Sequence, residues 1–313
     1  MITEVGMRHS SETLRKNIFI LSLPRSGSSM IARLICSAGF TTKIRNDSVS
    51  LGPSEFNQHG YYEETRLTLL NDQLIRMMHG ESFSFLHLPS KESALKNFAT
   101  PKPYINSLSK NFSYDLDQTT VYLPPGFVDN VSFYTGNTWD NWGLTRMAKG
   151  QKWYQCYERY GCKTAQQIFL LAESYTDIFS QPKNLIIKDP RLCIVFSYYR
   201  VCHPKIIVIT RNEKSVLSSM KKHYGSNLFT KKTLENNNKI VSNHFNYKIP
   251  YQNFVQYLDT YQSLLSASVQ DAELLTVQFE ELVDRNKKCI ASLEEFLESR
   301  VNSSLIDPNL VYN

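Results

Sequence analysis

The run Pro24-Arg-Ser-Gly-Ser-Ser29 sets one arginine directly before a small, flexible turn. It follows the apolar stretch Ile18–Leu23 and leads into Met30-Ile-Ala-Arg-Leu-Ile-Cys36, which carries a helical pattern. A strand, a tight turn and a helix in that order aim the backbone N–H groups of Ser26, Gly27, Ser28 and Ser29 at one spot, at the positive end of the helix. Such a spot holds an anion, and phosphate is its usual occupant. The G-x-x-x-x-G-K-[ST] pattern is missing, so the magnesium-nucleotide reading loses its signature lysine. Arg25 is placed instead to neutralise charge on a bound group.

A second run adds to this site. Lys205-Ile-Ile-Val-Ile-Thr210 ends in Arg211, and Asn212 can cap a helix over 213–223 that carries Ser218 and Ser219. Ser219 lies about two helical turns beyond Arg211, so the two side chains can converge on one oxyanion. The arginine brings a forked, permanently charged donor and the serine a short neutral one. Two strand-end sites of this kind fit a ligand phosphorylated at two places.

Acid–base candidates lie between these runs. Asn57-Gln-His-Gly-Tyr-Tyr-Glu-Glu64 brings an imidazole and two carboxylates ahead of a helix. Glu63 is the first choice of base. His59 is the second, because an unperturbed imidazole titrates near pH ~6.5; Glu64 is the third. Lys188 ends another apolar run, Asn184–Lys188, and can face charged oxygens. The same Lys188-Asp-Pro-Arg191 segment reads equally as a β-turn organised by Asp189. Glu280 and Glu281 read as helix-start or ion-pair residues. Lys221, Lys222, Lys231 and Lys232 read as a solvated face, with a clamp on the ligand as the alternative. No His, Cys and Asp cluster has ligand spacing, so no metal is expected.

Four strands must position these groups: Ile18–Leu23, Asn184–Lys188, Lys205–Thr210 and Leu274–Val277. Each is short and apolar on both faces, and each is followed by a turn and a helical stretch. That pattern predicts an α/β fold in which a parallel β-sheet is flanked by helices on both sides. Helices are predicted over Ser28–Ala38, Thr65–Met78, Thr164–Asp177, Glu213–His223, Phe254–Ala267 and Asp284–Glu298. Residues 90–150 break the pattern. They form an irregular insert rich in aromatic residues, Asn, Asp and Ser. The expected organisation is one domain in three parts: 17–89 with the phosphate turn, the insert 90–150, and 161–299 with the second anion motif.

The bulk properties bound the partners. A formal charge of +6 over 313 residues is mild and dispersed, which suits a small anion better than nucleic acid. No secretory leader and no apolar run of membrane-spanning length is visible, and the six cysteines are scattered without a C-x-x-C pair. A reduced, cytoplasmic protein that binds neither membrane nor nucleic acid is expected. Its oligomeric state is not legible.

Together these motifs resemble the sulfotransferases that use 3′-phosphoadenosine 5′-phosphosulfate (PAPS). Pro24-Arg-Ser-Gly-Ser-Ser29 is similar to their 5′-phosphosulfate loop, and Thr210-Arg-Asn-Glu-Lys-Ser-Val-Leu-Ser-Ser-Met220 to their 3′-phosphate motif. Asn57–Glu64, Leu69-Leu-Asn-Asp72, Ile186–Leu192 and Leu275-Thr-Val-Gln-Phe-Glu-Glu-Leu-Val283 resemble further segments of bacterial members. The Gly-rich, Lys-containing loop of animal cytosolic members has no match here.

The resemblance implies a sulfotransferase fold and a metal-independent enzyme of secondary metabolism. Such an enzyme moves a sulfuryl group from PAPS to a hydroxyl or amine of a small molecule and releases adenosine 3′,5′-bisphosphate (PAP). It implies Arg25, Ser26, Gly27, Ser28, Ser29, Arg211 and Ser219 as nucleotide-binding residues, and Arg25, Glu63, His59 and Lys188 as catalytic ones. The insert is then an acceptor-binding lid, whose aromatic faces and carboxylates would suit a cationic or planar natural product. The alternatives are a P-loop small-molecule kinase and a non-catalytic nucleotide-binding protein.

Overall fold

Five consecutive residues, Ile18–Ser22, form the first strand, β1, and all five are buried. Burial on both faces follows from its place in the sheet. β1 pairs in parallel with β2 (Ile186–Lys188) on one side and with β3 (Lys205–Thr210) on the other, and β4 (Leu274–Gln278) extends the sheet beyond β3. The order is β2-β1-β3-β4 and every pairing is parallel. The computed structural model describes residues 16–48, 60–79, 90–96, 162, 165–219, 251–269 and 272–308.

The pleat divides β1 between two cores. Phe19 and Leu21 face one layer of helices and Ile18 and Ile20 the other. The first layer contains α2 (Thr65–His79), α4 (Ala165–Phe179), α5 (Leu192–Tyr199), α6 (213–219) and α7 (Tyr251–Ser268). The second contains α1 (Ser28–Ser37), α8 (Phe279–Val283) and α9 (Lys287–Leu297). A one-turn helix, α3 (Lys91–Ala94), is capped by Ser90 and packs Ala94 into the first layer.

Aromatic packing centres on Phe19. Its ring meets those of Phe179, Phe196 and Tyr199 edge-on, at centroid distances of 5.3, 5.8 and 6.2 Å. Edge-to-face contacts of this kind are worth about 0.5–1.5 kcal/mol each beyond area burial. Just before β1, the buried Asn17 side chain fastens the α4–β2 connection. Its Nδ2 donates to the carbonyls of Phe179 (2.9 Å) and Gln181 (2.7 Å), and its Oδ1 accepts from the N–H groups of Lys183 (3.1 Å) and Leu185 (3.0 Å).

The four predicted strands are all present; Lys205–Thr210 keeps its bounds and the other three differ at one end by one or two residues. Asn212 caps α6 as expected, accepting from Ser215 N–H at 3.2 Å. The predicted helix over Asp284–Glu298 begins later, at Lys287, with Asn286 accepting from the Lys288 and Cys289 N–H groups. The apolar helix α5 was not predicted. All eight of its residues are buried, so no alternation of polar and apolar positions marks it. Most of the 90–150 insert, from 97 on, lies outside the described residues.

Candidate functional site

The carboxyl ends of parallel strands open onto a common edge, where α/β sheets bind ligands. Beyond β1 the chain turns sharply. Ser26 is fully buried, and both its N–H (3.3 Å) and its hydroxyl (2.6 Å) donate to the carbonyl of Leu23. Ser26 therefore builds the turn, while Gly27, Ser28 and Ser29 stay half-buried at the first turn of α1. Arg25 and Gly27 both adopt left-handed backbone conformations, with φ of 67° and 93°. Glycine takes that region freely, whereas an arginine there is strained.

Gly27 is fixed by packing as well as by φ. A Cβ at this position would lie 2.0 Å from Cε2 and 2.1 Å from Cδ2 of Phe279. The Phe279 ring thus lies directly against the turn.

The turn after β1 and the segment after β3 meet here. Arg25 Nε donates to Ser219 Oγ at 3.0 Å, and Arg211 Nη1 donates to the Arg25 carbonyl at 2.9 Å. Of the two serines on α6, Ser219 is buried and turned toward Arg25, while Ser218 is exposed. The Arg211 guanidinium lies over the Phe279 ring, its Cζ 4.5 Å from the centroid. Burial holds that guanidinium below its ordinary pKa; Glu280 opposes the shift and Arg25 adds to it. Glu280 Oε1 also accepts from Asn212 N–H at 2.9 Å, which ties the start of α8 to the end of β3.

A second cluster surrounds the end of β2, on the other side of β1. Lys188 is 4% exposed, and its ammonium donates to the Tyr61 carbonyl at 2.8 Å and to Glu63 Oε1 in a buried ion pair. Burial pushes the Glu63 carboxyl above its ordinary pKa; Lys188 pulls it back and the Asp189 charge adds to the rise. Asp189 accepts from Asn71 Nδ2 at 2.8 Å and from Arg191 N–H at 2.9 Å, with Arg191 Nη1 at 3.4 Å. The Asp-Pro segment is thus a turn organised by its aspartate, as its sequence allowed. Asn71 Oδ1 accepts in turn from Tyr199 O–H at 2.8 Å.

Glu64 has a structural task. Its Oε2 accepts from Leu67 N–H (2.7 Å) and from Tyr175 O–H (2.8 Å), which anchors the start of α2. Burial pushes the half-buried Cys36 thiol and the buried Cys202 thiol up to about 11 and the buried Cys193 thiol up to about 12, away from the reactive thiolate form. Among the described residues no group of three or more His, Cys, Asp or Glu can hold a metal ion. His59 and the lysines at 221, 222, 231 and 232 lie outside the described residues.

Arg25, Gly27, Arg211 and Ser219 therefore come together around one turn, and Glu63 and Lys188 meet as a pair at the same sheet edge. Phe279 escaped the sequence reading as a site residue. It was visible only as one letter of a Phe-Glu-Glu-Leu run, and nothing in that run shows what its ring touches.

The architecture and the turn define an α/β protein with Arg25 and Arg211 brought together at the carboxyl ends of its strands. The family described as "Sulfotransferase domain" matches residues 15–312, and the chain belongs to it. No curated protein matches the chain. Among solved structures, the chain is similar to the sulfotransferase domain from the curacin biosynthetic pathway (14% identity, 96% of this chain and 78% of that one, TM-score 0.40). It is also similar to the sulfotransferase domain from the Synechococcus PCC 7002 olefin synthase (15% identity, 97% and 79%, TM-score 0.32).

Proposed function

We propose that this sulfotransferase takes its sulfuryl group from PAPS and transfers it to a hydroxyl or amine of a small molecule, releasing PAP. The carrying observation is the convergence of Arg25, Arg211 and Ser219 through two hydrogen bonds. It joins the phosphosulfate-like turn and the 3′-phosphate-like motif into one bisphosphate clamp.

In the transfer, the acceptor oxygen or nitrogen bonds to sulfur. The bond from sulfur to the bridging oxygen of the 5′-phosphate breaks, and the acceptor proton passes to a base. Chemistry of this kind depends on in-line positioning and charge neutralisation more than on covalent participation by the protein. The first turn of α1, at Ser28 and Ser29, receives the 5′-phosphate, and Arg25 balances charge on the leaving oxygen. Preorganised donors in comparable sites are worth ~2.7–4 kcal/mol each.

Glu63 is the proposed base. Its raised pKa brings it closer to neutrality, where a general base works best. Lys188 holds it in place and supplies a positive charge at the same edge. His59 remains the second choice, and Glu64 is set aside by its anchoring role. The acceptor is read as a natural product with a cationic or planar group, received by the 90–150 insert as a lid. A reducing, cytoplasmic setting is supported by free thiols at Cys36, Cys162, Cys193, Cys202 and Cys289. Among the described residues no helix is long and apolar enough to cross a membrane.

The test is incubation with PAPS and pooled hydroxyl and amine metabolites, scored by mass spectrometry for the gain of one SO3 group and by release of PAP. Sulfated product and PAP are expected. Binding of ATP with magnesium-dependent hydrolysis, with no response to PAPS, would replace this reading by a kinase-type one.

A further inference from the structure

The ring of Phe279 stands between the two halves of the proposed clamp. In the β3–β4 ladder Thr210 pairs with Gln278, so Arg211 and Phe279 leave neighbouring strands side by side. From there Phe279 reaches two partners. One is the turn, where its ring fills the space that any side chain at position 27 would need. The other is Arg211, whose guanidinium lies over the ring at 4.5 Å. Arg211 closes the circle by donating to the carbonyl of Arg25, the residue held at positive φ. The ring is 1% exposed, so it cannot itself touch a bound nucleotide.

We infer that Phe279 is a positioning residue for nucleotide recognition: its aromatic face orients Arg211 toward the 3′-phosphate. A half-buried guanidinium loses hydration, and a ring face offers a compensating interaction that needs no anion. An acidic side chain in the ring's place would add to the Glu280 charge that already acts on Arg211 and would repel the phosphate. The aromatic face fixes the arginine without adding that charge. This inference deepens the PAPS reading and rests on it.

The full chain is titrated calorimetrically with PAP and with adenosine 5′-monophosphate, which lacks the 3′-phosphate. Phe279→Leu and Phe279→Met keep the site apolar and remove the ring, and Phe279→Tyr restores it; circular dichroism and thermal melting identify the variants that fold. Loss of the ring is expected to weaken PAP about 5–30-fold, the equivalent of a desolvated cation–π contact. The monophosphate should bind as before, Phe279→Tyr should keep the wild-type PAP affinity, and the ring deletion should have no effect in an Arg211→Met background. Equal weakening of both nucleotides, or an undiminished effect in the Arg211→Met background, makes Phe279 a packing residue and overturns the inference alone. A wild-type protein that binds no PAP overturns the donor reading and the inference together.

Discussion

The side chain of Arg25 donates to the hydroxyl of Ser219 across 3.0 Å, although 194 positions separate them in sequence. One sits in the turn after β1 and the other on the helix after β3, and the parallel pairing of Ser22 with Ile209 brings those strand ends level. The relationship joins the turn after β1 and the helix after β3, the two halves of the proposed clamp. Ser219→Ala removes the acceptor of a charge-assisted bond, an interaction worth about 1.5–3 kcal/mol. PAP affinity measured by calorimetry should fall by at least tenfold, while Ser218→Ala, at the exposed neighbour, should leave it unchanged. Equal effects of the two substitutions would refute the pairing.

Arg25 combines chemistry with backbone strain. At φ 67° a non-glycine residue carries a cost of roughly 1–2 kcal/mol. Arg25→Gly should therefore melt at a higher temperature than Arg25→Ala, since both lose the guanidinium but only glycine relaxes the backbone. Both should lose about 10²–10³ in kcat, as for deletion of one preorganised donor. Activity retained in either variant would remove Arg25 from the reaction.

Glu63 gives a pH dependence with a definite sign. Its folded pKa is raised by burial, so the stability it contributes is present below the ordinary carboxylate pKa and is lost as pH rises through the raised value. The melting temperature of Glu63→Gln relative to wild type should accordingly improve on moving from acid to neutral pH. As the base, Glu63 should also give kcat/KM an acid limb that Glu63→Gln abolishes, along with about 10²–10⁴ of the rate. An acid limb that survives in Glu63→Gln would pass the role to another group, with His59 next. Lys188→Met should cost about 3–5 kcal/mol, because it leaves the carboxylate buried without its partner.

Asn17 tests the scaffold separately from the chemistry. Its amide makes four hydrogen bonds that close the α4–β2 connection onto the start of β1. Asn17→Ala leaves buried backbone groups without partners and should cost about 2–5 kcal/mol in chemical denaturation. Turnover per folded molecule should not change. A stability loss below about 1 kcal/mol would show that water replaces the amide.

What the sequence made legible follows physical locality. The strands could be read because each is a short apolar run with turn chemistry beside it, and Arg25, Gly27, Arg211 and Ser219 because each belongs to a local strand–turn–helix unit. Helix α5 was hidden because burial on every side removes the amphipathic signal. The Glu63–Lys188 pair was hidden because 125 positions separate its members and only the fold sets them together. The contacts of Phe279 were hidden for the same reason: its two partners come from two other strand ends.

The strand order carries a consequence for synthesis of the chain. β1 is made first, yet its pairing partners begin only at Ile186 and Lys205. At translation speeds of about 5–20 residues per second, this apolar strand waits roughly ten to thirty seconds on the ribosome before any partner exists. Long-range parallel pairing of this kind is slow and leaves a nascent chain open to aggregation. Stalled chains ending before residue 205 should be protease-sensitive and should recruit chaperones, with protection of β1 appearing only once β3 has emerged.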